Sequence, residues 1–141
     1  MTHDEIIARL EEAGRTLLSL PPAAAQGHMR VTQWEHVREL VHSMAEALPA
    51  KVTPTAAAIT RMDEALAWVG LIPQDKFLLR RIINARMLVS PLTGRHFFPW
   101  RRMGTLLGAD HHAVQRWHAQ GIGIIATALA GKQAPAARRA A

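Results

Sequence analysis

The most constraining feature of this sequence is a glycine placed between two apolar helical patterns in the stretch 100–119, WRRMGTLLGADHHAVQRWHA. Met103 and Leu107 are four residues apart and share one face of a short first helix. Gly108 then predicts the left-handed backbone conformation that ends a helix, and Asp110 is a natural N-cap for a second helix. The stretch therefore predicts two helices joined by a tight turn.

The spacing of apolar residues predicts which face of the second helix is buried. Val114 and Trp117 are three residues apart and are predicted to pack back on the first helix. Gly104 is small enough to let the two helices approach closely. The remaining side chains of the second helix and its cap form the predicted exposed face: Asp110, His111, His112, Gln115, Arg116 and Ala119.

This spacing is typical of a helix-turn-helix, the unit that places its second helix in the major groove of DNA. The exposed residues have suitable chemistry, because Arg116 can pair with guanine and Gln115 with adenine. His111 and His112 can donate to a phosphate or to a base edge. The alternative is an ordinary helical hairpin with a glycine turn.

Charge is distributed unevenly along the chain. Residues 1–70 contain six Lys/Arg and nine Asp/Glu, a balance of −3, whereas residues 71–141 contain eleven Lys/Arg and two Asp/Glu, a balance of +9. The basic half contains the predicted helix-turn-helix, with Arg101 and Arg102 placed to contact phosphates. Phosphate neutralisation supplies most non-specific DNA affinity, so this asymmetry favours a nucleic-acid partner. A solvated basic face or a membrane-surface patch is the alternative.

The rest of the chain consists of predicted helices separated by proline or glycine. Thr2 and Glu5 form a capping box that predicts a first helix to about Leu20. A second capping box and an apolar stripe predict a helix over Gln33–Leu48. These patterns indicate an all-α, multi-helix domain with a C-terminal helix-turn-helix.

Two further helices are predicted before the basic motif. Thr53 is predicted to cap a helix with Pro54 at its first position and Gly70 at its end. A fourth helix follows Pro73. Its arginines are equally suited to contacting the DNA backbone and to keeping the helix hydrated: Arg80, Arg81 and Arg86.

The segment 89–98 lacks a helical pattern. Gly94 indicates a turn, so a tight loop or a very short hairpin is predicted. Phe97 and Phe98 are predicted to pack under the following helix. Arg95, in the loop, is a further candidate for a phosphate contact.

The second helix of the motif is predicted to continue through Gly121 and Gly123 despite their low helix propensity. The chain then divides into an acidic helical scaffold (1–70), a basic helix-turn-helix region (71–131) and a flexible basic tail (132–141), within one compact domain or two subdomains. Four tryptophans are predicted to be core residues: Trp34, Trp68, Trp100 and Trp117.

Several classes of protein are disfavoured by what the sequence lacks. It contains no cysteine, no phosphate-binding glycine loop and no nucleophile motif, so we expect no enzyme activity and no cofactor. His111 and His118 share a helix face, but Asp110 is the only further ligand nearby, so no metal site is predicted. Without a leader or a long apolar run, the protein is expected to be soluble and cytoplasmic, with no membrane partner.

The sequence resembles a phage and prophage family of helix-turn-helix domains of unknown function. The matching pieces are RLEEAGRTLLSLPP, QGHMRVTQWEHV, TPTAAAITRMDEALAWV and WRRMGTLLGADHHAVQRWHAQGIGIIATAL. Trp100, Arg101, Arg116 and Trp117 match the tryptophan-led first helix and the arginine-rich second helix of that family. The resemblance implies a DNA-binding protein of phage type. The chain differs from the family by having histidine where basic or hydroxylic residues are commoner: His111, His112 and His118.

These observations predict a sequence-specific binder of double-stranded DNA, of phage or phage-derived origin, that regulates transcription. A homodimer formed through the front helices, and a contact with RNA polymerase as an activator or antiterminator, are compatible with this role. One alternative is a small terminase-like subunit for DNA packaging, which a ring-shaped assembly in solution would indicate. Another is a protein-binding inhibitor that uses the helix-turn-helix shape only as a scaffold.

Overall fold

A computed structural model describes residues 1–20 and 53–140, and the side chains within 1–20 and 53–132. This part of the chain is all-α, as predicted, and contains no β-strand beyond one isolated bridge. A 3-10 helix, Gln74–Lys76, precedes the third α-helix. The α-helices are α1 (His3–Ser19), α2 (Ala56–Val69), α3 (Phe77–Met87), α4 (Trp100–Leu107) and α5 (His111–Ala140).

The start of α1 is the capping box that the sequence predicts. The Thr2 hydroxyl accepts a hydrogen bond from the Glu5 backbone N–H at 3.2 Å, and the Thr2 N–H donates to the Glu5 carboxylate at 2.6 Å. These bonds pair N–H groups that a helix leaves free at its first turn. The helix then buries one stripe of side chains: Ile6, Leu10, Ala13 and Leu17.

The predicted start of α2 is wrong by two residues. Its N-cap is Thr55, whose hydroxyl accepts from the Ala58 N–H at 3.1 Å, and not Thr53. Both threonines offer a hydroxyl, but the helix begins after the one that reaches a free N–H of the first turn. Pro54 therefore lies before the cap and not at the first helical position. The predicted end at Gly70 is confirmed.

Helices α1 and α2 pack against each other in antiparallel orientation. Two ion pairs cross between them, Arg9 with Glu64 at 3.3 Å and Arg61 with Glu12 at 2.7 Å. The earlier residue of α1 pairs with the later residue of α2, and the later residue of α1 pairs with the earlier one of α2. The two helices therefore run in opposite directions. The Arg9 guanidinium also lies 4.9 Å from the centre of the Trp68 ring.

The third helix is fixed to the first two by contacts at its ends. Arg80 donates to the backbone carbonyls of Ile72, at 2.7 Å, and Gly70, at 3.3 Å, just beyond the end of α2. At its other end α3 meets α1 so closely that a Cβ atom added to Gly14 would lie 1.8 Å from the Met87 carbonyl oxygen. Helix α1 therefore needs a glycine at this contact.

The sequence predicts a tight loop or a very short hairpin between α3 and α4, and the structure has the hairpin. Val89 and His96 form an isolated antiparallel bridge, and Gly94 has a positive φ of 70°. Phe98 is buried in the core and Phe97 is packed against it, as predicted. The loop thus returns the chain to the core at the start of α4.

Helix α5 runs through Gly121 and Gly123, as predicted, and its bounds extend to Ala140. Gly121 is buried, and a Cβ atom there would lie 2.6 Å from the Ile83 side chain of α3. The glycine therefore lets α5 lie close to α3. Residues 132–140 of the predicted tail lie within the helix bounds.

One apolar core joins the five helices. Trp68 is buried in it, and Trp100 and Trp117 are partly buried and packed against it. Trp34 and the predicted helix Gln33–Leu48 lie outside the described residues. Among the described helices, none combines the length and the apolar character that crossing a bilayer requires.

Candidate nucleic-acid interface

The turn between α4 and α5 has the geometry that the sequence predicts. Gly108 is left-handed, with a φ of 65°, and the Ala109 N–H donates to the Gly104 carbonyl at 2.9 Å. A Cβ atom at Gly104 would lie 2.6 Å from the Ala109 carbonyl oxygen. Gly108 therefore allows this turn by its backbone conformation, and Gly104 allows it by its small size.

Asp110 begins the second helix of the pair. Its carboxylate accepts a hydrogen bond from the His112 N–H at 3.2 Å, which is the contact expected of an N-cap. The His111 Nδ1 atom lies 3.6 Å from the other carboxylate oxygen. Asp110 is thus engaged with the first turn of α5, although its side chain stays exposed.

Helices α4 and α5 pack against each other, as predicted. Met103 and Val114 are buried in the core, and Leu107 and Trp117 are partly buried against it. Helix α5 is therefore supported along the side that faces α4. The opposite side of α5 faces outward.

The outer side of α5 carries the predicted base-reading residues. His112, Arg116 and Ala119 are exposed, whereas His111 and Gln115 are half-buried at the edge of this surface. Within the described residues, no hydrogen bond or ion pair holds the side chain of Gln115 or Arg116. Both side chains are therefore available to a partner.

The two arginines of α4 differ in their surroundings. Arg101 is exposed and lines an open concave surface of about 510 Å³ together with Asp110 and His111. Arg102 is exposed too, but its guanidinium donates to the Phe97 carbonyl at 3.3 Å and lies 5.0 Å from the Phe98 ring centre. Arg101 is therefore the freer of the two.

The secondary basic candidates do not share one environment. Arg81 and Arg95 are exposed, and the Arg81 guanidinium lies 5.9 Å from the Phe77 ring. Arg80 is half-buried and donates to the backbone at the end of α2. Of these three residues, Arg80 is the least suited to contacting a phosphate.

A cluster of polar and aromatic residues beneath α4 is the feature that sequence reasoning missed. We call Glu11, Arg86, His96, Trp100 and His118 the interior cluster. The Arg86 guanidinium lies 4.0 Å from the Trp100 ring centre, and His118 meets the same ring edge-on at 5.1 Å. His96 joins Glu11, at 3.3 Å, to the Arg86 carbonyl, at 2.9 Å. Because separate segments of the chain contribute, a pattern within one segment does not reveal the cluster as a whole.

Burial lowers the pKa of two basic residues in this cluster, His118 and Arg86. It lowers the pKa of His118 to about 4, with smaller contributions from the neighbouring Arg86 and His96. Burial also lowers the pKa of Arg86 from its usual value. The sequence does contain one signal, because His118 follows Val114 by four residues and precedes Ile122 by four, on the buried stripe of α5.

Asp110, His111 and His112 bring their ligand atoms within 4.8 Å of one another. Such a set can in principle approach one cation. It lies, however, at the N-terminus of α5, where the free N–H groups carry partial positive charge and oppose a cation. One Asp110 oxygen is also used to cap the helix.

Comparison with known protein families, with curated proteins and with solved structures finds no match to this chain. The resemblance to a phage family therefore stays a prediction from the sequence.

Proposed function

We propose that α4, its turn and the first part of α5 form a DNA-binding helix-turn-helix, with the outer side of α5 directed into the major groove. The exposure of Arg116 on a helix that is supported from behind carries this proposal. Arginine pairs with guanine through two hydrogen bonds, and Gln115, one residue before it, can pair with adenine. Arg101 would contact the phosphates that flank the groove.

The charge of the chain supports the same partner. The half that contains α4 and α5 has a balance of +9, and the other half has a balance of −3. DNA would therefore be attracted to the side of the protein that carries the reading residues. With the resemblance to phage proteins, this charge favours a regulator of transcription in phage or phage-derived genes.

The proposal is tested by selecting preferred sequences from random duplex DNA and then measuring the affinity of variants. Arg116→Ala and Gln115→Ala are each expected to lose about 1 to 3 kcal/mol on the selected sequence and little on unrelated DNA. The reason is that a base contact contributes only where the matching base is present. Fluorescence anisotropy at several salt concentrations measures both affinities.

The matched controls are Arg15→Ala, an exposed arginine in the acidic half, and Gln74→Ala, an exposed glutamine away from α5. Both controls are expected to bind as the parent does. The proposal is wrong if the parent shows no affinity for DNA at low salt. It is also wrong if the variants on α5 lose no more affinity than their controls.

A further inference from the structure

A small cavity lies between α1, α3, α4 and α5, on the inner side of the helix pair proposed to bind DNA. Its volume is about 140 Å³. One side is apolar, and the other is formed by residues of the interior cluster. The lining residues used below are Ile7, Leu10, Met87, Arg86, Trp100 and His118.

His118 is a buried polar group on this cavity. The residue is 8% exposed, and within residues 1–20 and 53–132 its ring nitrogens have no hydrogen-bond partner. These nitrogens are not among the fully buried, unpaired side-chain atoms of the described residues, so they keep some accessible surface. A ligand in the cavity would be within reach of a ring nitrogen that no protein group occupies.

Arg86 provides a positive charge beside it. Its guanidinium lies over Trp100 and makes one long hydrogen bond, of 3.4 Å, to the Phe98 carbonyl. No carboxylate of the described residues lies within ion-pair distance of it. Glu11 also lines the cavity, and its carboxylate pairs with His96 at 3.3 Å. A half-buried guanidinium with free N–H groups is suited to an anionic oxygen, above all a carboxylate.

We propose that this cavity binds a small carboxylate with a ring-sized apolar body. The carboxylate would accept hydrogen bonds from Arg86 and from a neutral His118, and the body would pack on Ile7, Leu10 and Met87. A cavity of about 150 Å³ accommodates benzene, so the volume of about 140 Å³ matches the ring alone, and the carboxylate would lie at the polar side of the cavity beside Arg86. This binding does not depend on whether the protein binds DNA.

Benzoate is the probe, titrated into the full-length protein at pH 7 by calorimetry and by NMR of the methyl groups. Saturable binding is expected, with the largest shifts at Ile7, Leu10 and Met87. Benzamide, which has the same shape without the charge, is expected to bind about ten- to hundredfold more weakly, as is benzoate to Arg86→Met. The matched control is Arg81→Met, an exposed arginine on the same helix, which is expected to bind benzoate as the parent does.

Should Arg86→Met fail to fold, Arg86→Lys and His118→Phe replace it. Arg86→Lys keeps the charge, whereas His118→Phe removes the ring N–H. We expect Arg86→Lys to bind benzoate more tightly than His118→Phe does. The proposal is overturned if benzoate does not bind at millimolar concentration, if its shifts lie away from the cavity, or if benzamide binds equally well. Binding of inorganic phosphate in place of benzoate would also overturn it.

Discussion

At the scale of single residues, His118 shows how position alters the chemistry of a side chain. His112 on the same helix is exposed, whereas His118, six residues later, is buried against Trp100 and beside Arg86. Charging a buried histidine next to an arginine is unfavourable, so its pKa falls to about 4. The folded protein therefore resists protonation at this position.

His118 is expected to make the fold less stable in acid. The unfolded chain takes up this proton near a pKa of about 6.5, and the folded chain does so only near 4. The stability that neutral His118 contributes is therefore fully present above the unfolded pKa. It declines as the pH falls and is lost completely below the folded pKa, a loss of roughly 3 kcal/mol. Between pH 7 and pH 5 we expect a loss of about 2 kcal/mol.

Urea unfolding of the parent and of His118→Phe at both pH values measures this effect. The two proteins differ only at position 118, so the contributions of all other groups largely cancel in the comparison. The variant is expected to lose about 2 kcal/mol less than the parent over this range. Identical pH dependence in the two proteins would mean that His118 is not buried as described.

At the scale of helices, close approach is allowed by particular small residues. Gly14 in α1 contacts the backbone at the end of α3, whereas a Cβ atom added to Gly131 in α5 would meet nothing within 4 Å. Both glycines are helical, and both would be poor choices by helix propensity alone. Only the packing of two helices distinguishes them.

Gly14→Ala is expected to lower the free energy of unfolding by about 3 kcal/mol, because the new methyl group would overlap the Met87 carbonyl and force the helices apart. Gly131→Ala is the control and is expected to be neutral or to stabilise by up to about 1 kcal/mol. Urea denaturation at pH 7 compares the two. A Gly14→Ala protein as stable as the control would contradict the described contact between α1 and α3.

At the scale of the whole molecule, one end of the chain is acidic and the other basic. The acidic residues of the first half take part in contacts such as the two ion pairs between α1 and α2. Arg101 and Arg116 are exposed, and among the described residues no ion pair involves either side chain. Exposed arginines without an ion-pair partner are the kind of residue that the proposed DNA interface requires.

If DNA binds this surface, salt should weaken the complex strongly. Arg101→Ala is expected to weaken binding to every sequence and to reduce the slope of log affinity against log salt by about one. Arg102→Ala should act in the same direction, and by less, since its guanidinium already contacts Phe97 and Phe98. Anisotropy titrations between low and moderate salt measure the slopes.

Arg15→Ala, which removes the same charge from the acidic half, serves as the control and should leave the slope unchanged. A loss of affinity confined to one DNA sequence in Arg101→Ala would contradict a phosphate contact for this residue. Reduced slopes in all three variants would indicate general attraction without a defined surface.

The sequence by itself determined the features that depend on neighbouring residues. The capping box of Thr2 and Glu5, the left-handed Gly108 and the cap at Asp110 follow from backbone groups a few residues away, so their patterns are readable in one segment. The all-α class and the buried pair Met103 and Val114 follow from helical periodicity. Even so, the predicted cap of α2 at Thr53 is wrong, because Thr55 carries the same hydroxyl and is the one that reaches a free N–H of the first turn.

The tertiary structure alone decided the features that join distant segments. Arg86, Trp100 and His118 lie on three helices, and Glu11 joins them from a fourth; their burial depends on how those helices pack. The need for glycine at position 14 likewise comes from Met87, far along the chain. Burial and the desolvation of charge are set by contacts between remote parts of the polypeptide, which local periodicity does not encode.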